Sequence, residues 1–239
     1  MRGPEGPRLP PFFDIEALLL DAGNTIVLLD MEAVSEVATR HGHRVDPARL
    51  AAVEGVAKRR YEEQLASGTT HEDAWGLYLA TLLEHAGLEA DAARSLIAPL
   101  RREHDEHNLW RRTDPHLHHT LSHALKLGLV LGVVSNSEGK LQQLFDRLGL
   151  SRKFAVVVDS GIEGIAKPDP RIFLRAVERL KVAPARALYL GDIPRVDVDG
   201  ARAAGLHAAL IDPLGFYEGY ADAPRFASVA EALNELVSG

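Results

Sequence analysis

Ala187-Leu188-Tyr189-Leu190-Gly191-Asp192 opens the stretch that decides the fold. Its first four residues are apolar, and the run ends abruptly in a glycine and a carboxylate. Val196–Ala204 then carries helical spacing and closes on Gly205, a residue type that suits the position just past a helix. A second short apolar run, Ala208–Ile211, follows. Strand, helix and strand in so short a span make a βαβ unit. Runs that are apolar at nearly every position suit strands buried on both faces, as in a parallel sheet.

Three more runs of the same kind lie upstream: Ala17–Leu20, Leu129–Val134 and Ala155–Val158. Lys140–Leu148 places Leu141, Leu144, Phe145 and Leu148 at helical spacing. Asp169-Pro170 reads as an N-cap followed by proline at the first helical position, opening a helix to about Leu180. Ser228–Val237 is a final amphipathic helix. Strands alternating with helices predict an α/β, doubly wound, Rossmann-like parallel sheet. The first two strands break the rhythm, because the stretch between Leu20 and Leu129 is too long for one crossover. Its pattern is helical over Met31–His41, Asp46–Ser67, His71–His85 and Asp91–His104, with breaks at Gly42, Gly68 and Gly87. Leu79, Leu82 and Leu83 supply part of an inner stripe. The expected layout is therefore an α/β core from residues 12–30 and 108–239, with an all-helical domain inserted at 31–107. Residues 1–11 are rich in proline and glycine and lack an apolar h-region, so they read as a loose tail rather than a signal peptide.

The 239 residues include 46% hydrophobic ones, enough for a full core. No apolar run is long enough to span a bilayer. The absence of cysteine excludes disulfides and thiolate metal sites or nucleophiles, and fits a reducing compartment such as the cytoplasm. A net charge of -7 argues against a nucleic-acid partner, and Lys58-Arg59-Arg60 reads as a solvated helix face. The oligomeric state is not legible.

In an open α/β sheet, ligands bind beyond the carboxyl ends of the strands. Those ends carry Asp21-Ala22-Gly23-Asn24-Thr25, then Ser135-Asn136-Ser137, then Lys167-Pro168 in the turn after the third strand, then Gly191-Asp192 with Asp197. A carboxylate, a hydroxyl, an ammonium and two further carboxylates make a toolkit for phosphoryl transfer. A carboxylate can attack phosphorus and form an acyl phosphate. Asp21 and Asp192 can hold Mg²⁺, which prefers oxygen ligands. Lys167 can neutralise a phosphate oxygen, and Ser135 and the backbone N–H groups after it can donate hydrogen bonds to one.

These four motifs, in this order, resemble those of the haloacid dehalogenase superfamily. Any one alone is a weak signal; the resemblance rests on four in order, each at or just after a strand end. The insertion resembles that superfamily's helical cap of the C1 type. The resemblance implies a hydrolase with Asp21 as nucleophile and Mg²⁺ held by Asp21, Asp192 and the carbonyl of Gly23. It implies phosphate contacts from Ser135, Asn136 and Lys167, with Thr25 and Asp197 in supporting positions. The expected activity is phosphatase action on small phosphorylated metabolites through an aspartyl phosphate, with the cap moving on hinges near Ile26–Asp30 and Asn108–Asp114.

One position departs from the family. Its phosphatases usually carry a second Asp two residues after the nucleophile as general acid and base, and here that position is Gly23. The departure keeps two alternatives open: a catalytically weak binding or interaction protein of the same fold, and a phosphonate hydrolase using a cap lysine, for which Lys58 is the candidate. Metal-free dehalogenase chemistry fits poorly with Asp192 and Asp197 both in place. Structural readings stand beside these roles. A lone Asp21 would be a turn residue, a lone Ser135 a helix cap, a lone Lys167 a surface lysine, and Asp197 and Asp199 acids at a helix start. His104, His107, His116, His118, His119 and His123 read as solvated helix faces before they read as a metal site, and Trp75 and Trp110 as packing residues. Gly132 to Lys140 resembles a P-loop only faintly, since its glycines are too far apart and Leu141 stands where Ser or Thr would be needed.

Overall fold

The computed structural model describes residues 7–238. The first six residues of the expected tail lie outside that range, and residues 7–10 have no regular structure. The chain divides into two compact units, Met1–Leu28 with Thr113–Gly239, and Leu29–Arg112.

The first unit holds the sheet. Its strands are β1 (Ala17–Leu20), then, beyond β2 (Leu28–Leu29) and β3 (Trp110–Arg112), β4 (Val130–Ser135), β5 (Val156–Asp159), β6 (Ala187–Gly191), β7 (His207–Ile211) and β8 (Arg225–Phe226). The order across the six-stranded sheet is β5-β4-β1-β6-β7-β8, and every pairing is parallel. Chain order runs outward from β1 to one side and then to the other, so β1 sits at the topological switch point. Its four side chains are all buried, as its unbroken apolar sequence requires. Alternate residues divide between the faces. Ala17, Leu19, Val134, Val156, Val158, Ala187 and Tyr189 pack with Ile172, Phe173, Ala176 and Val177 of the helix Pro170–Leu180. That helix starts as its sequence indicates: Asp169 caps it by accepting from Arg171 N at 2.9 Å, and Pro170 takes a position where no backbone donor is needed. Gly132 keeps β4 close to its neighbours, because an added Cβ would lie 2.7 Å from both Leu19 and Val156 side-chain carbons.

The second unit is built of the helices Met31–Arg40, Pro47–Ala66, His71–His85, Ala90–Ser95 and Ile97–His107. Asp30, Asp46 and Thr70 cap the first three with their side chains. Leu50, Leu79, Leu82, Leu83, Leu96 and Leu100 are fully buried among them. One expected helix, Asp91–His104, is two. Pro99 lies in the first turn of the second and has no N–H to continue the ladder, so the chain ends one helix and restarts another around Leu96. β2 and β3 pair as a two-stranded ribbon, and Arg111 Nε donates to Asp30 Oδ2 at 2.9 Å. Among the described residues, no helix is long and apolar enough to cross a membrane.

The apolar-run reading misses the short strands β2, β3 and β8, the short helix Ser160–Glu163, and the helix Leu117–Lys126, whose histidines mask a stripe of Leu117, Thr120, Leu121 and Ala124. The expected helix Val196–Ala204 is a π-helical turn, Pro194–Val198, running into a short α-helix, Asp199–Ala203.

Candidate active site

Three neighbouring strands deliver their ends to one edge. Asp21 follows β1 and its N–H donates to Leu190 O of β6 at 2.8 Å. Ser135 ends β4, and Asp192 follows β6. Lys167 arrives from the segment before the helix Pro170–Leu180, across a cis bond to Pro168, and Asp197 from the π-helical turn. All five residues are buried, none more than 6% exposed.

Lys167 is the hub. Its Nζ donates to Asp21 Oδ1 at 2.6 Å, to Asp197 Oδ1 at 2.7 Å and to Tyr189 Oη at 3.0 Å. An ammonium has three N–H donors, and three acceptors surround this one. Burial alone would lower its pKa, but the carboxylates of Asp197 and Asp21 outweigh that and hold it above the usual lysine value. Asp21 moves the other way. Burial pushes its carboxyl up to about 7, against the pull of Lys167 and with the help of Asp197 and Asp192. Asp21, Asp192 and Asp197 can each place a carboxylate oxygen within 4.8 Å of the others. Burial first, and then the neighbouring carboxylates, raise Asp21, and a hard divalent cation taking oxygen ligands would relieve it. The donor set therefore fits a metal ion of that class, and it is the only such group of acidic or histidine residues among the described residues.

Asp197 is held by both its oxygens. Oδ1 faces Lys167, and Oδ2 accepts from Asp192 N at 3.0 Å and Ile193 N at 2.9 Å. This approach requires Gly191, since an added Cβ there would lie 2.6 Å from Asp197 Cβ. Gly200 does the same below Lys167-Pro168, where a Cβ would come within 3.0 Å of the Pro168 backbone. We expect Gly191→Ala to force Asp197 out of place and destabilise the fold by about 1–3 kcal/mol, the usual range for overpacking. Urea unfolding measures it; an unchanged midpoint would show that the turn yields without strain.

The loop after β1 turns tightly, with Val27 N and Ile26 N donating to Ala22 O at 2.9 and 3.0 Å. Asn24 has φ 56°, in the left-handed region that glycine and asparagine tolerate best. Gly23 is not among the described glycines with left-handed backbone. Thr25 Oγ1 is buried with no hydrogen-bond partner among the described residues.

Asn136 follows Ser135 and braces the Lys167 segment. Its amide clamps the backbone of Lys167, accepting from Lys167 N at 2.7 Å and donating to Lys167 O at 3.1 Å. Two sets of residues had no role in the sequence. Asp159, ending β5, accepts from Gly139 N and Gly161 N, both at 2.9 Å, and from Leu141 N at 3.2 Å, while Ser160 Oγ accepts from Ser137 N at 3.0 Å. Together they fix the loop that Ser135 and Asn136 open. The other is Tyr189, whose polar atom in an apolar strand was the available signal.

Of the remaining candidates, Lys58, Trp75, His104, His107 and Trp110 belong to the second unit, and His116, His118, His119 and His123 to the first. His104 is buried in the second unit, its ring 5.2 Å from Trp75, with Nδ1 accepting from Leu109 N at 3.2 Å. Trp75 and Trp110 stack 6.2 Å apart in the same aromatic group. His107 reaches Glu103 at 3.2 Å, and His116, His118, His119 and His123 are exposed. Lys58 is buried on the helix Pro47–Ala66.

The family model for haloacid dehalogenase-like hydrolases matches residues 15–205. Haloacid dehalogenase-like hydrolase domain-containing protein 3 of Bos taurus is 30% identical over 210 residues, covering 82% of each chain. A phosphoserine phosphatase of Thermus thermophilus is 38% identical over 133 residues, 54% of this chain and 51% of that one. Among solved structures, a 2-haloacid dehalogenase of Pseudomonas syringae superposes with a TM-score of 0.56 at 26% identity, covering 94% of this chain and 99% of its own. Phosphatase and dehalogenase names both occur among the relatives, so the chemistry has to be argued from the site.

Proposed function

Because the chain belongs to the haloacid dehalogenase-like hydrolases, we propose that it is a phosphohydrolase of small phosphorylated metabolites with Asp21 as nucleophile. The observation that carries this is the buried group in which Asp21, Asp192 and Asp197 converge with Lys167. A dehalogenase working without a metal does not need Asp192 as a further ligand carboxylate beside Asp21, whereas phosphoryl transfer must neutralise a dianion as it meets a carboxylate. The phosphatase names among the relatives support the same choice.

In this reading, Asp21 Oδ attacks phosphorus, an acyl phosphate bond forms between Asp21 and phosphorus, and the bond from phosphorus to the leaving oxygen breaks. Water then attacks, releasing inorganic phosphate and restoring the Asp21 carboxylate. Lys167 lies where it can balance charge on Asp21 and on a phosphate oxygen. Ser135, at the adjacent strand end, would donate a hydrogen bond to another. Asp197 keeps Lys167 charged and in place. Mg²⁺ held by Asp21, Asp192 and the Gly23 carbonyl would supply electrostatic stabilisation of the transferring group. The helical unit, Leu29–Arg112, would act as a cap that excludes water and selects the substrate, with β2 and β3 as the passages on which it moves.

Gly23 shapes the substrate range. Expelling an alkoxide needs a proton, and no side chain at this position can supply it. General acid catalysis typically contributes about a hundredfold to ten-thousandfold. We therefore expect good turnover of aryl and acyl phosphates and poor turnover of alkyl phosphates. Gly23→Asp should raise alkyl phosphate hydrolysis by roughly tenfold or more. The backbone at Gly23 is not left-handed, so an aspartate can adopt it. Rates measured across a phosphate ester series test this. A flat dependence on leaving-group pKa, with chemistry rate-limiting, would mean that another acid serves. Failure to turn over any phosphate ester would favour the alternative of a binding protein on a hydrolase fold.

A further inference from the structure

Tyr189 is fully buried in β6, two residues before Gly191. Its ring stands edge-on to Phe173 at 4.9 Å, part of the core against the helix Pro170–Leu180. Packing needs only the ring. The hydroxyl sits 2.9 Å from Val134 O, 3.0 Å from Lys167 Nζ and 3.1 Å from Asp197 Oδ1. A phenol has one proton and accepts through its lone pairs. Val134 O and Asp197 Oδ1 can only accept, and Lys167 can only donate. The proton must therefore point away from Lys167, leaving a lone pair for the third N–H of the ammonium.

We propose that Tyr189 is a positioning residue for Lys167: an uncharged third anchor that keeps the ammonium between Asp21 and Asp197. The inference rests on the phosphohydrolase reading for its effect on turnover, though not for the tether itself. The other two anchors are carboxylates that compete for one cation. The charge on Asp21 also changes when it bonds to phosphorus, and an ammonium held only by charge would then shift onto Asp197. A neutral hydroxyl fixed by the carbonyl of β4 holds with the same strength throughout. A third carboxylate here would add charge to a cluster where burial already opposes ionisation of Asp21. A phenylalanine would leave a buried N–H of Lys167 without an acceptor, a state proteins avoid.

Tyr189→Phe keeps the ring contact with Phe173 and removes the anchor. The charge that binds substrate remains in the site, while its placement beside Asp21 loosens. We therefore expect kcat to fall about tenfold, with KM within about twofold of the parent, since small misplacements cost far more in rate than in binding. Tyr189→Leu removes ring and hydroxyl together, and should lower thermal stability further than Tyr189→Phe, which keeps the ring and strands only the buried N–H of Lys167. A second readout is independent of turnover. In a proton–nitrogen correlation spectrum of the lysine side chains, an ammonium with three fixed acceptors should give a persistent signal, assigned by its loss in Lys167→Arg. That signal should be lost or broadened in Tyr189→Phe. If the parent shows the signal and hydrolyses no phosphate ester, the phosphohydrolase reading fails and the tether stands. An unchanged signal, or a kcat within twofold of the parent in Tyr189→Phe, would overturn the positioning role.

Discussion

Asp21→Asn is expected to lower turnover of any phosphate ester substrate at least about a thousandfold, because it keeps the shape of the side chain and removes the attacking charge. The same change should not weaken the fold. With Mg²⁺ removed by EDTA, burial and the neighbouring Asp197 and Asp192 make the Asp21 carboxylate unfavourable, which is why its pKa rises to about 7. A carboxyl raised in the folded state binds its proton more tightly there than in the unfolded chain. Its ionisation therefore lowers stability as pH rises from about 4 to about 7, and the loss is complete above that. Asparagine has no such ionisation. The variant's thermal midpoint in EDTA should exceed the parent's at pH 8, and the difference should shrink toward pH 4. Near-normal turnover in the folded variant would remove Asp21 from the role of nucleophile.

Asp192→Ala is expected to reduce Mg²⁺ affinity at least about tenfold and turnover at least about a hundredfold together, since the two share one cause. Its backbone N–H, which donates to Asp197 Oδ2, remains, so the turn that carries Asp197 should hold. Calorimetric titration with Mg²⁺ and steady-state rates on the same preparation make the test. Loss of turnover at full Mg²⁺ affinity would assign Asp192 a role other than metal binding. Turnover by the parent that is indifferent to EDTA would point toward dehalogenase-like chemistry.

Three strand ends were legible in the sequence for a simple reason. Parallel strands buried on both faces are apolar throughout, so Asp21, Ser135 and Asp192 stand out where each run stops. The cap of the helix Pro170–Leu180 was legible because Asp169-Pro170 is a local signal. What stayed hidden depends on contacts remote in sequence. Tyr189 reads as one more core residue until Lys167, 22 positions away, is folded against it. Asn136 lies 31 positions from the Lys167 backbone it clamps, and nothing local announces that contact. Asp159 and Ser160 organise the loop that starts at Ser135 through partners 20 and 23 positions away. Val196–Ala204 reads as ordinary helix in the sequence although its start lies in the π-helical turn Pro194–Val198, because periodicity over so few residues cannot separate the two.

The central claim is that a phosphate ester is cleaved through a bond between phosphorus and Asp21. Rapid quenching in acid during steady-state turnover, followed by borohydride reduction and mass analysis of the peptide that contains Asp21, tests it directly. Borohydride reduces an acyl phosphate to the alcohol, so homoserine should appear at position 21, only when substrate is present, and not in Asp21→Asn. Homoserine at another aspartate, or steady turnover with residue 21 left unmodified at every quench time, would contradict the account.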